Sequence, residues 1–139
     1  MFKLVKDIKS KEGIQHFKRW QLFSCKWFSI YLHGIYKEDL DKHCHNHAWN
    51  ILTIILWGSY TEKLLWCQDP DCFDENRRWP LDIAYRSTDD YHKILTLHTK
   101  KVYSLAIVGK RGPDEWGYMM DDGEHLNHLE YRKLKANKS

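Results

Sequence analysis

No apolar stretch in this chain is long enough to cross a bilayer. The longest, "ILTIILW" at residues 51–57, is about a third of what a spanning helix needs. The opening residues, "MFKLVKDIKSKEG", are too charged for a secretion signal. Both absences lead to the expectation of a cytoplasmic chain with reduced thiols and no membrane partner. Cysteine is sparse as well. Four of them (Cys25, Cys44, Cys67 and Cys72) do not make a disulfide-dense scaffold. Cys67 and Cys72 flank the turn sequence "QDPD" and could approach each other across it, but two thiols near a loop are the simpler reading. A strong charge of one sign is missing too. The net charge is +3 and the basic residues are dispersed, without the concentrated basic face of a nucleic-acid binder. The chain carries no phosphate-binding glycine loop, nucleophile triad, cofactor fingerprint, internal repeat or low-complexity segment. Its middle holds no helical run long enough to build βαβ units.

What is present is aromatic and strand-like. The 139 residues suit one domain with one core, and aromatics reach 14%, with seven Trp. That excess leans towards β structure or a ligand cavity. Short apolar-aromatic runs recur at residues 14–25, 27–36, 48–58, 59–66, 81–87, 91–99 and 101–109, with "EWGYMM" as a last candidate strand. Polar or Pro/Gly punctuation separates them, and residues 67–80 read as a loop. This spacing predicts an all-β sandwich or barrel. Residues 51–56 are apolar on both faces, as in a central strand. In "KVYSLAIVG", Val102, Ser104, Ala106 and Val108 share one face, whose small side chains would leave space for a cavity. The tail, "GEHLNHLEYRKLKANKS", could hold a short helix that packs Leu126 and Leu129 and sets His125 and His128 on one face.

The chemistry concentrates in "HCHNHAWNILTIILWGSY", residues 43–60. Residues i and i+2 of a strand point the same way, so His45 and His47 would present two imidazoles side by side. That arrangement suits a transition metal. His43 shares their parity but lies further into the loop, and Cys44 points the opposite way. A third ligand must come from elsewhere, and His92 in "DDYHKI" can supply it. Asp41, Asp89 or Asp90 could add oxygen from nearby loops. Loop and strand-start histidines without a ligand remain the plain alternative. Arg86, if it points inward near His92, needs an anionic partner. A substrate carboxylate or phosphate would serve, and so would Glu62 or Glu115. Tyr60, Tyr85 and Trp116 could line the same cavity or simply fill the core.

The segment resembles the first motif of the cupins, His-x-His, then three or four residues, a Glu, six residues and a Gly. Here His45-x-His47 is followed by Ala48, Trp49 and Asn50, then Ile51 where the Glu belongs, "LTIILW", and Gly58. "WPLDIAYRSTDDYHKILTL" is similar to a loose second motif with His92 as its histidine; Pro80 stands at its Pro-x-Gly turn without the glycine. "CHNHAW", "ILWGSYTE", "YRSTDDYHK" and "GKRGPDEWGY" also resemble segments of a group of small cupin-like proteins from bacteria and their phages. The resemblance covers residues 14–132 and implies a single-domain jelly roll. On that reading residues 1–13 are an N-terminal extension, 14–120 the jelly roll and 121–139 a tail with a short helix.

The resemblance further implies a mononuclear site of His45, His47 and His92. With Ile51 in the carboxylate position, three neutral imidazoles remain, a set similar to the thiol dioxygenase branch. It implies one divalent metal, Fe(II) before Zn, Mn or Ni, and dioxygenase-like chemistry on a small anionic molecule. Arg86 would orient the substrate, Tyr60 or Tyr85 would supply a proton, and Glu115 and Trp116 would form the rim. A second reading is a binding protein that sequesters a small, nucleotide-like molecule without turnover, as a phage-encoded protein would. A third is an interaction module whose aromatics form an oligomer interface. Cupins often pair through N-terminal strands, so a homodimer is also expected, with no nucleic-acid partner.

Overall fold

The computed structural model describes residues 3–39, 42–66, 68–112 and 115–138. Cys67 and Asp41, which entered the reading above, lie outside the described residues. The strands are β1 (Lys3–Lys9), β2 (Gln15–Ser24), β3 (Ser29–Ile35), β4 (Ile51–Trp57), β5 (Tyr60–Trp66), β6 (Asp69–Arg78), β7 (Ile83–Arg86), β8 (His92–Leu97), β9 (Val102–Val108), β10 (Gly117–Met119) and β11 (His125–Asn127). One helix follows, α1 (His128–Lys138).

Six strands form an antiparallel sheet in the order β1-β2-β3-β9-β4-β7. The second layer is built from β6-β5-β8 and from β10-β11. His45 joins these two pieces, because it bridges His92 on one side and Tyr118 on the other. The layers share a core: Ile35, Ile55 and Val102 of the first sheet pack with Tyr60 of the second, flanked by Phe17, Ile94 and Leu97. A second inward cluster joins Ile51, Ala106 and Val108 to Tyr31 and Trp49. The architecture is an all-β, single-domain jelly roll with a short C-terminal helix.

Alternation explains the best-defined strands. β9 buries Val102, Ser104, Ala106 and Val108 and leaves Tyr103, Leu105 and Ile107 half-buried. These small residues pack into the core, however, and do not line the cavity beside His47. Gly58 turns β4 into β5 with φ +93°, and an added Cβ would meet the Lys101 carbonyl at 2.5 Å. Glycine is therefore required there on both conformational and steric grounds.

Three expectations change. Residues 69–78 form β6 rather than a loop, paired with β5 from Tyr60–Arg78 to Leu65–Phe73. β6 is an edge strand whose side chains are mostly exposed, so it carries no apolar periodicity; its polar residues suit an unpaired edge. Likewise, the supposed N-terminal extension contains β1, an exposed edge strand paired with β2. In the tail, His125 and Leu126 belong to β11, and the helix starts at His128 with Leu129 exposed, so they do not share a helix face. Among the described side chains of the helix Tyr131 is the buried one, stacked on Tyr118 with ring centroids 3.8 Å apart.

Candidate metal centre

His45 sits where a strand would pass between β8 and β10. It exchanges two backbone hydrogen bonds with His92, each 2.9 Å. Residues paired this way project to the same face, so both imidazoles point into the sandwich. On the other side Met119 N–H donates to the Cys44 carbonyl, and Asn46 N–H to the Gly117 carbonyl. Asn46, itself buried, fixes the loop by its side chain. Its amide donates to the Thr88 carbonyl and accepts from Gly117 N–H, both at 2.8 Å. His47 follows on this pinned loop and turns to the same side as His45.

The result is a triangle of imidazoles. Ring centroids are 4.8 Å apart for His45–His92, 5.3 Å for His45–His47 and 5.2 Å for His47–His92. One nitrogen from each lies within 4.8 Å of the other two, and the Nε2 atoms of His47 and His92 are 3.0 Å apart. Two nitrogens at right angles on one ion, each about 2.1 Å from it, would also be about 3 Å apart. Burial, then the charges of His92, His45 and Arg19, push the His47 pKa well below its ordinary value, so its lone pairs stay available.

Glu62 completes the centre from beneath. It is 3% exposed, and its carboxylate accepts the His92 Nδ1 proton at 2.7 Å. That bond leaves His92 Nε2 as the lone-pair nitrogen facing the other imidazoles. Burial alone would raise the Glu62 pKa, but hydrogen bonds and charge from His92 and Arg86 outweigh it and hold it at about 2. In the sequence Glu62 was legible only as a candidate partner for Arg86. The stronger signal was its parity with Tyr60, which puts a carboxylate on an inward position of β5.

The remaining candidates separate clearly. Arg86 does point inward, and its anion is Glu62, with Nη2 donating to Oε1 at 2.5 Å. Its terminal nitrogens are thus held by Glu62 and the Tyr85 carbonyl, while its buried Nε has no partner among the described residues. Tyr85 is 55% exposed on the outer face of β7 and cannot supply a proton to the site. Tyr60 is buried in the shared core, its pKa pushed up to about 12 mainly by burial. It packs there, as the plain alternative held. Trp116 does border the centre, 6.3 Å from the His45 ring and stacked on His128 at 4.5 Å. Glu115 is exposed at the rim, bonded to Arg111 and His128. His43 turns away to Tyr131 and Asp121, and Cys44 joins a separate cluster with Leu65, Tyr91 and Met119. Asp90 caps the 87–90 turn, while Asp89 lines the cavity. Ile51 is buried among apolar residues and offers no ligand.

A cavity of about 370 Å³ opens beside His47, lined by Asn46, Thr88, Asp89, Tyr91 and Glu115 among others. Its walls are mostly polar, and it meets His47 from the side of Thr88 and Asp89.

Solved structures share this architecture. A cupin-2 domain from Rhodospirillum rubrum superimposes with a TM-score of 0.62 at 14% identity, over 97% of this chain and 82% of that one. The chain adopts the cupin fold. Other cupin-fold neighbours are enzymes of greater length. Hydroxypropylphosphonic acid epoxidase from S. wedmorenis gives a TM-score of 0.55 at 14% identity, over 74% of this chain and 54% of that one. HppE with Fe(II) and the alternative substrate (S)-1-HPP gives 0.58 at 13% identity, over 77% and 55%. This chain thus spans about half the length of those neighbours. No family model and no curated protein matches the sequence.

Proposed function

We propose that this cupin-fold chain holds one divalent transition metal, Fe(II) in preference to Zn, Mn or Ni, and uses it as an oxygenase-type enzyme on a small anionic molecule. The observation that carries the reading is the convergence of His45, His47 and His92 on one point, each able to offer a nitrogen. The donor set fits: three imidazole nitrogens, one of them on a ring oriented by a carboxylate, are suited to a borderline ion such as ferrous iron. When bound, such an ion supplies Lewis acidity, redox capacity and open coordination positions.

The chain's own residues have definable tasks. His45 and His92 are held in register by their backbone pair, and His47 by the Asn46 anchor. Glu62 holds the His92 proton at Nδ1. Trp116 narrows the approach to His45. HppE, whose fold this chain shares, is a structure with Fe(II), which makes the choice of metal reasonable.

Elemental analysis of untagged protein, beside a His45→Ala/His47→Ala variant, tests the proposal. Near-stoichiometric iron that is lost in the variant supports it, and no metal under any loading condition overturns it. The polar cavity beside His47 supports one other reading, capture of a small molecule without turnover. An iron-loaded protein that consumes no oxygen with a panel of thiols and small acids would favour capture.

A further inference from the structure

A line of aromatic rings leads from the imidazole triangle towards the surface. His45, bridged to Tyr118 through the backbone, also borders its ring, centroids 6.1 Å apart. Trp116 stands beside both, 6.3 Å from the His45 ring and 5.7 Å from that of Tyr118. Tyr118 then stacks on Tyr131 of α1, centroids 3.8 Å apart and planes 20° from parallel. Both tyrosines are buried. Beyond them the rings give way to a chain of polar contacts. The Tyr131 hydroxyl meets His43 Nδ1 at 3.0 Å, and His43 Nε2 lies 3.3 Å from Asp121 Oδ1. Asp121 is exposed, so the chain ends in solvent.

Packing explains part of this arrangement. The Tyr131 ring anchors α1 on β10, and a phenylalanine would anchor it equally well. Packing does not explain the hydroxyl. A buried phenol needs a hydrogen-bond partner, but a backbone carbonyl would serve as well as an imidazole that faces a carboxylate. Nor is so close and nearly parallel a stack the arrangement that two rings prefer for stability alone. Both features suit loss of an electron. Stacked electron-rich rings share the positive hole, which makes the pair easier to oxidise than either ring alone. Oxidation also makes a phenol strongly acidic, so the electron leaves readily only where a base takes the proton. His43 stands at that position.

We propose that Tyr131 is a redox-active tyrosine that supplies an electron to the His45–His47–His92 centre by way of Tyr118. The oxidant is a peroxide. Reduction of hydrogen peroxide to two waters takes two electrons and two protons. One electron comes from the ferrous ion and the other from Tyr131, through the Tyr118 ring that borders His45. The phenolic proton moves to His43 Nδ1, and solvent supplies the second proton. Ferric ion, a neutral tyrosyl radical and two waters result. An oxidising equivalent is thereby drawn away from the three imidazoles to a ring on the outer helix. The inference rests on the metal reading for the place where peroxide reacts; the ring stack and its proton acceptor stand without it.

The test loads untagged protein with Fe(II) under anaerobic conditions, mixes it with one equivalent of hydrogen peroxide and freezes it for electron paramagnetic resonance. The wild-type chain should give a tyrosyl radical, whose signal narrows when the protein is made with ring-deuterated tyrosine. Tyr131→Phe keeps the ring stack and should lose that signal, with circular dichroism spectrum and iron content unchanged. Peptide mass spectrometry should then find more oxygen added to His45, His47 and His92 than in wild type. His43→Gln keeps a hydrogen-bonding side chain but no base, and it should also lower the radical yield. It carries the test should Tyr131→Phe fail to fold. No radical in the iron-loaded wild type, or an undiminished radical in either variant, would overturn the inference. Equal oxidation of the three histidines in wild type and Tyr131→Phe would overturn it as well. Should the chain take up no iron, flash-generated ruthenium(III) trisbipyridine replaces peroxide as the oxidant. A radical component that Tyr131→Phe removes would then sustain the redox-active tyrosine while the metal reading falls, and its absence would end both.

Discussion

Glu62 and His92 lie diagonally across neighbouring strands β5 and β8, joined by a 2.7 Å hydrogen bond between a buried carboxylate and an imidazole Nδ1. The same carboxylate holds Arg86. One residue therefore orients a histidine of the candidate metal centre and pairs with a buried cation. Glu62→Gln should weaken metal affinity by about 10- to 100-fold, the usual effect of losing such an outer partner. Competition against a fluorescent zinc chelator measures it. Glu62→Ala should also cost about 3 kcal/mol or more in chemical denaturation, because Arg86 and Arg78 are left without a counter-charge. An unchanged affinity in Glu62→Gln would mean that His92 is not held through its Nδ1.

Metal removal should be visible as stability. A ligand that binds only the folded state stabilises it in proportion to the logarithm of its excess over Kd. Chelation should therefore lower the melting temperature of the wild-type chain by several degrees and leave His45→Ala/His47→Ala unmoved. Equal shifts in both proteins would place any bound ion elsewhere.

His33 supplies a pH dependence that can be isolated. Burial first, then the positive charges of Arg19 and Lys6, push its pKa from 6.5 down to about 3. The folded chain thus binds fewer protons than the unfolded chain between these values. Stability is full above pH 6.5 and declines as pH falls towards 3, by about 1.4 kcal/mol for each unit at most. His33→Gln keeps an acceptor for Arg19 and removes the titration. Urea unfolding at pH 7 and pH 5 should show a smaller loss in this variant, and an equal loss would assign the acid sensitivity to other groups.

The two tyrosines should respond differently. Tyr85→Ala should leave metal content and stability within about 0.5 kcal/mol of wild type, since the side chain stands in solvent. Tyr60→Ala should cost about 3 kcal/mol or more by opening a cavity in the shared core, with Tyr60→Phe far milder. Loss of metal in Tyr85→Ala would contradict its outward placement.

Much of this was legible in the residues themselves. Apolar alternation marked β9, the doubly apolar run marked β4, and His-x-His before Gly58 marked the end of the sandwich where imidazoles gather. Those signals survive because they depend on period two and on turn chemistry, both local properties of the chain. The edge strands β1 and β6 were not legible. Their stability comes from backbone pairing with β2 and β5, and their exposed side chains carry no pattern.

The partners of the buried charges were decided only in three dimensions. Parity could turn Arg86 inward, but not choose between a substrate, Glu62 and Glu115 as its anion. Register and the bulge at Thr61/Glu62 made that choice by bringing one carboxylate to both Arg86 and His92. The same closure left Arg19 among aromatic rings, with no carboxylate paired to it among the described residues. Sequence patterning thus determined which residues face inward, because side-chain direction is local. Which inward charges meet is set by long-range strand pairing, and that only the tertiary structure decided.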